Sequence, residues 1–247
     1  MKKTNVFKYY AFGYNYGLIR NDGLYSYDMK KAIDMLESFF DSTEELGLEV
    51  TKKACDDLKE ILKELKESKE KKVDGELSGR IQTEIDRIDI VLDAELKLKE
   101  AFELTDKRYS LDKLLYNPKK LLAKDVFDGL NDHTKRDFHL ACGQIALTLP
   151  TGVAFHLMRA LEEQVKELYC HFKKKNRMNK PMWGPMIKEL RNKRNPKPSE
   201  KLLDLLDSIR IHYRNPTQHS DLFYTIDEAQ DLLNQTISAI NLINSEI

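Results

Sequence analysis

Apolar positions along most of the chain step by three and four. Ala54, Leu58, Ile61, Leu62 and Leu65 form one stripe, and Leu77, Ile81, Ile85, Ile88, Leu92 and Leu96 form a second; this spacing lays side chains along one face of an α-helix. Between them SKEKKVDGE, with Gly75, turns one predicted helix back on the next, so residues 27–105 are expected to hold an antiparallel helical hairpin with a charged outer face. Phe138, Cys142, Ile145 and Leu149 predict a helix capped by Thr134, and Pro150-Thr151-Gly152 reads as a tight turn. Phe155, Leu157, Met158, Leu161, Val165, Leu168 and Tyr169 then predict a longer helix from Val153 to about Lys174. A short helix is expected near Met186 to Asn192. Ser199 caps another from Glu200 to Tyr213, on Leu202, Leu203, Leu206 and Ile209. Thr225 with Glu228 three residues on makes a capping box for a last helix through Ile243. The pattern predicts an all-α fold: a helical hairpin region followed by a bundle of four main helices with one excursion.

The first 27 residues depart from this pattern. Phe7, Tyr9, Tyr10, Phe12, Tyr14, Tyr16, Tyr25 and Tyr27 alternate with Gly and Asn, which reads as an irregular or hairpin-like arm that packs on the body or on a second subunit. A stacking surface for bases is the alternative, with Lys2, Lys3, Lys8 and Arg20 as the nearby cations. Three regions follow: the arm over 1–27, a helical region with the acidic hairpin over 28–129, ending in a linker with Asn117-Pro118 and Asp128-Gly129, and the bundle over 130–247.

Composition narrows the class. The chain has 247 residues, 41 Lys plus Arg against 41 Asp plus Glu, only 10 Gly and 7 Pro, and a mean hydropathy of -0.57. It is long enough for a real core, and with no net charge it has no overall field to draw it onto nucleic acid. The balance conceals opposite regions: residues 34–106 hold 22 acids and 12 bases, while residues 171–198 hold 10 bases and the single acid Glu189. Cys55, Cys142 and Cys170 are odd in number and far apart, which fits a reducing compartment and neither a disulfide frame nor a Cys-based zinc site. No export signal is read at the start, and the longest apolar stretch, Ile145 to Met158, is too short to span a bilayer. A cytoplasmic location and no membrane partner are expected.

Candidate chemistry concentrates in IHYRNPTQHSDLFYT. Arg214 stands at a helix end and His219 five positions later, across a loop that Pro216 stops from continuing as helix. A guanidinium is a planar clamp for phosphate, and an imidazole exchanges protons near neutrality. The pair suits attack of an RNA 2'-hydroxyl on the adjacent phosphate, with neither metal nor cofactor. A helix C-cap and a surface residue are the plainer reading of the same two side chains.

The succession FHLACGQIALTLPTGVAFHLMRALEEQVKELY, a Trp-containing connector, Arg214-Asn215-Pro216-Thr217-Gln218-His219 and DEAQDLLNQTISAINLI resembles the HEPN superfamily over about residues 130–245. Members are helical bundles ending in an Arg, four to six residues and a His. The resemblance implies metal-independent RNA cleavage by a homodimer, or a higher even oligomer, whose two motifs face one composite cleft. Arg214 would then stabilise the phosphorane-like charge, His219 would act as general base or acid, and Asn215 would orient the phosphate or the imidazole. Arg159, Glu162 and Glu163 match a polar patch near the motif in some relatives, and a helix-surface ion-pair set is the other reading of them. Lys173, Lys174, Lys175, Arg191, Lys193 and Arg194, in the basic stretch, would bind RNA phosphates or simply solvate a loop. Such RNases are common in the family as toxins and anti-phage effectors, which implies a possible antitoxin or defence-system partner protein. A non-catalytic RNA- or nucleotide-binding adaptor is the alternative.

Overall fold

The computed structural model describes residues 5–174, 182–218 and 223–247. It is 75% helical, and no strand occurs among the described residues. The chain divides into two compact units, Met1–Phe102 and Glu103–Ile247, each with its own core.

The first unit holds α1 (Val6–Asp22), α2 (Met29–Glu45), α3 (Glu49–Ala54), α4 (Asp56–Glu67) and α5 (Gly75–Lys97). The expected arm is in fact the regular helix α1, capped by Asn5. Its Phe12 and Tyr16 stack with Phe39 of α2 at centroid distances of 5.7 and 5.9 Å, and with each other at 6.1 Å, while Phe7, Tyr10 and Tyr14 are exposed. Gly13 and Gly17 each cost helix stability of about 1 kcal/mol, which the buried aromatic contacts of the other face offset. Gly23 ends α1 at φ +56°, and a Cβ there would lie 2.3 Å from the Ser78 carbonyl oxygen, so both conformation and packing demand glycine. The predicted hairpin is α4 and α5, which bury Leu58, Ile61, Leu62 and Leu65 against Ile81, Ile85, Ile88 and Leu92. Leu48 gives α3 no side-chain cap. Glu95 of α5 does this instead, accepting from the Val50 and Thr51 N–H groups at 3.1 and 2.7 Å and from the Thr51 hydroxyl at 2.7 Å.

The second unit holds α6 (Leu111–Leu115), a 3-10 turn (Pro118–Leu121), α7 (Val126–Gly129), α8 (Asp132–Ala146), α9 (Pro150–Lys173), α10 (Trp183–Arg191), α11 (Glu200–Ile209) and α12 (Ile226–Glu246). Residues 103–129 belong to this unit rather than forming a linker. Leu114, Leu122 and Val126 enter its core, Arg108 pairs with Asp227 and Asp231, and the Ala123 N–H donates to Asn241 at 2.9 Å. The four longer elements α8, α9, α11 and α12 surround one core centred on α9.

Local chemistry moves two predicted boundaries. Asn131, not Thr134, caps α8: its side chain accepts from the Thr134 N–H at 2.8 Å, and Thr134 itself is buried beside Gln164. Pro150 opens α9 as its first residue, where a missing N–H costs nothing, so the turn falls on Leu147–Leu149, with Thr148 at φ +58°. Gly152 then lies inside the helix, where a Cβ would meet the Gln144 side chain at 2.3 Å. Ser199 caps α11 as expected, accepting from the Leu202 N–H and bonding Glu246 at the far end of α12. The Thr225–Glu228 capping box is formed.

Candidate functional site

The predicted helix Glu200–Tyr213 does not run uniformly to its end. After Ile209 the chain widens into a π-helical turn, Arg210–Arg214, closed by the Asn215 N–H on the Arg210 carbonyl at 3.0 Å. Such turns are uncommon and recur at functional positions. A 3-10 turn, Pro216–Gln218, follows. The loop is locked from the side: the Thr217 hydroxyl donates to the Tyr213 carbonyl at 2.6 Å, and the Tyr224 hydroxyl lies 2.7 Å from the Thr217 oxygen and 3.2 Å from that carbonyl. The Tyr213 and Tyr224 rings stack at 6.2 Å, Gln235 of α12 donates to the Tyr213 hydroxyl, and burial pushes the Tyr224 phenol up from its ordinary value.

This turn places Arg214 between two cavities. On one side, Arg214 Nη2 is 3.6 Å from Glu162 Oε2, and Glu162 lines a cavity of about 370 Å³ between α8 and α9. On the other side, Arg214 and Asn215 line a cavity of about 190 Å³ together with Trp183, Gly184 and Arg210. The Arg214 side chain is 28% exposed, yet its Nε is buried with no acceptor among the described residues.

The larger cavity contains a residue the sequence reading missed. Asp137 of α8, 2% exposed, accepts from Arg159 Nε at 3.1 Å and lies 2.8 Å from His156 Nδ1, which joins α8 to α9 through one carboxylate. Its signal was a carboxylate standing in the apolar stripe Thr134, Phe138, Ala141, Cys142, a place that only a paired Asp occupies at tolerable cost. Arg159 also sits over the Phe155 ring, 5.4 Å from its centroid. Glu163 pairs with Lys166 at 2.7 Å. The three residues foreseen on α9 therefore have three different partners: Asp137 for Arg159, Arg214 for Glu162 and Lys166 for Glu163.

The basic stretch separates in the same way. Arg191 is held by Glu200 at 3.2 Å and Asp204 at 2.7 Å, tying α10 to α11, and these carboxylates push its pKa further up. Lys173 lies 3.4 Å from Glu189, which also accepts from Tyr169. Lys193 donates to the Asn195 carbonyl at 3.4 Å. Lys174, at the left-handed end of α9, and Arg194 are exposed. Lys175 and His219 lie outside the described residues.

Other reactive groups are quiet. Burial pushes the Cys55 and Cys142 thiols up to about 12, so neither is a thiolate at neutral pH. Among the described residues no group of three or more His, Cys, Asp or Glu side chains could hold a metal ion, and no helix is long and apolar enough to cross a membrane. No protein-family model, curated protein or solved structure matches the chain.

Proposed function

We propose that the chain is a metal-independent endoribonuclease of HEPN type, acting as a toxin or defence effector through a composite site in a homodimer. The observation that carries this reading is the setting of Arg214. Among the described residues its guanidinium is fixed by a π turn, has a buried Nε with no acceptor, and shares with Asn215 a cavity that no carboxylate lines.

In this reading Arg214 and Asn215 donate to the non-bridging oxygens of the scissile phosphate, where negative charge builds as the 2'-oxygen approaches phosphorus. His219, beyond Pro216, takes the proton of the 2'-hydroxyl. The P–O5' bond breaks, an imidazole from the second copy returns a proton to the 5'-oxygen, and the products are a 2',3'-cyclic phosphate and a 5'-hydroxyl. Glu162 is a positioning residue that holds Arg214 from the α9 side, and Asp137 fixes His156 and Arg159 on the same wall.

The test is incubation of the purified protein with RNA in EDTA, with end-group analysis of the products and light scattering for mass. Cleavage should persist and leave cyclic phosphates. His219→Ala and Arg214→Ala should each lower the rate by about 100- to 10,000-fold, and the mass should be an even multiple of 28.9 kDa. Undiminished cleavage in both variants, or a strict monomer, overturns the proposal.

A further inference from the structure

The cavity that Arg214 shares with α10 has more hydrogen-bond donors than the described protein uses. Trp183 is 1% exposed, and its indole N–H has no acceptor among the described residues. Arg214, which lines the same cavity, has its Nε in the same condition. Arg210, one turn before Arg214, commits its Nε to Asp207 at 2.9 Å, while its Nη1 approaches Gly184, 3.6 Å from where a Cβ would stand. Trp183 and Gly184 are also the first two residues of α10, whose N-terminus receives no side-chain cap from Met182 and has Pro185 as its third residue. Arg210, Arg214, Trp183, Asn215 and an uncapped helix start thus line one space, and no acidic residue among the described ones lines it.

Donors buried without an acceptor cost free energy that a bound acceptor returns, and a helix start beside arginines is a place for an oxyanion. At about 190 Å³ the space is smaller than the pockets of about 300–1,000 Å³ that enclose whole small molecules. That volume matches one phosphate group better than a whole nucleotide.

We infer that this cavity is a phosphate-binding subsite in which Arg210 and Trp183, with Arg214 and the start of α10, hold a phosphate group. The inference rests on the ribonuclease reading for the role of Arg214, and adds that Arg210 and Trp183 determine where the strand is seated. The shared chemistry is the phosphate; an internal RNA phosphate and the phosphate of a free mononucleotide are its two sources.

Trp183 is the chain's only tryptophan, so its emission reports on the cavity directly. Fluorescence titrations with inorganic phosphate, with adenosine monophosphate and with a short RNA should each change that emission. Arg210→Gln should weaken the phosphate titration about tenfold and lower the salt slope of RNA binding by roughly one, and Arg210→Lys should recover part of the affinity. Trp183→Phe keeps the packing and removes the N–H; phosphate-induced thermal stabilisation should shrink in it. Tighter titration by RNA than by the mononucleotide assigns the subsite to the strand, and the reverse assigns it to a free nucleotide. If RNA is cleaved while phosphate affinity, KM and salt slope are unchanged in folded Arg210→Gln and Arg210→Lys, the subsite is refuted and the ribonuclease stands. If these shift as expected but no RNA is cut, the subsite stands and the ribonuclease falls.

Discussion

Removing the hydroxyls of Thr217 and Tyr224 together should destabilise the second unit by more than the two single removals add up to. The Tyr213 carbonyl has the Thr217 hydroxyl at 2.6 Å and the Tyr224 hydroxyl at 3.2 Å, while the two hydroxyl oxygens are 2.7 Å apart. Each hydroxyl has one proton, so the arrangement that uses both short contacts is a relay: Tyr224 donates to Thr217, and Thr217 donates to the carbonyl. In Tyr224→Phe the Thr217 donor remains, and the loss is one neutral hydrogen bond, about 1 kcal/mol. In Thr217→Val the Tyr224 hydroxyl turns to the carbonyl, and the loss is again about 1 kcal/mol. In the double variant the carbonyl loses both side-chain donors, and the total should be about 3 rather than about 2 kcal/mol. Urea unfolding followed by the emission of Trp183 measures this cleanly, because that residue is buried in the second unit alone. A coupling below about 0.3 kcal/mol, the scatter of independent sites, would refute the relay.

Two further outcomes follow from the charges. Burial by itself would raise the Glu95 carboxyl, but the hydrogen bonds from Thr51 and Val50 outweigh it and hold its pKa below the ordinary 4.5. The stability it gives is therefore present above the unfolded pKa and lost as pH falls through the folded one. Acid titration of the first unit by circular dichroism should show wild type losing stability more steeply than Glu95→Gln below about pH 4.5; parallel curves would contradict the capping role. Arg191→Gln should lower stability by no more than about 1 kcal/mol and leave the salt dependence of RNA binding unchanged, since Arg191 is engaged by Glu200 and Asp204. A shallower salt slope in that variant would return Arg191 to the residues proposed to bind RNA.

Periodicity made most of the fold legible. The stripes of α4, α5, α9, α11 and α12 were readable because apolar spacing and caps agreed, as at Ser199 and Thr225. It failed at α1, where Gly and Asn between tyrosines read as loop, although burial of Phe12, Tyr16 and Ile19 on one face stabilises a helix there. It failed again at residues 103–129, whose short turns have no period long enough to detect, and whose membership of the second unit rests on contacts to residues more than a hundred positions away. At the candidate site, Arg214 and Asn215 were visible because side-chain type and position near Pro216 coincide. Asp137 was not, because a carboxylate in an apolar stripe reveals its purpose only when His156 and Arg159 are seen beside it. Arg210 and Trp183 stood in sequence as a helix residue and a connector aromatic; only folding put them on the lining of one small space.

The π turn has a consequence for how this site can be lost. Winding Arg210–Arg214 in this wide form accommodates one residue more than ordinary α-helical winding would. Deleting Ile211, whose side chain is exposed, would let the segment close as α-helix and swing everything beyond it by about 100° around the axis. Arg214 and Asn215 would keep their chemistry and face elsewhere. The aim of the guanidinium is thus written in residue count, and a single codon removed from this stretch would dismantle the candidate site without altering the chemistry of Arg214 or Asn215.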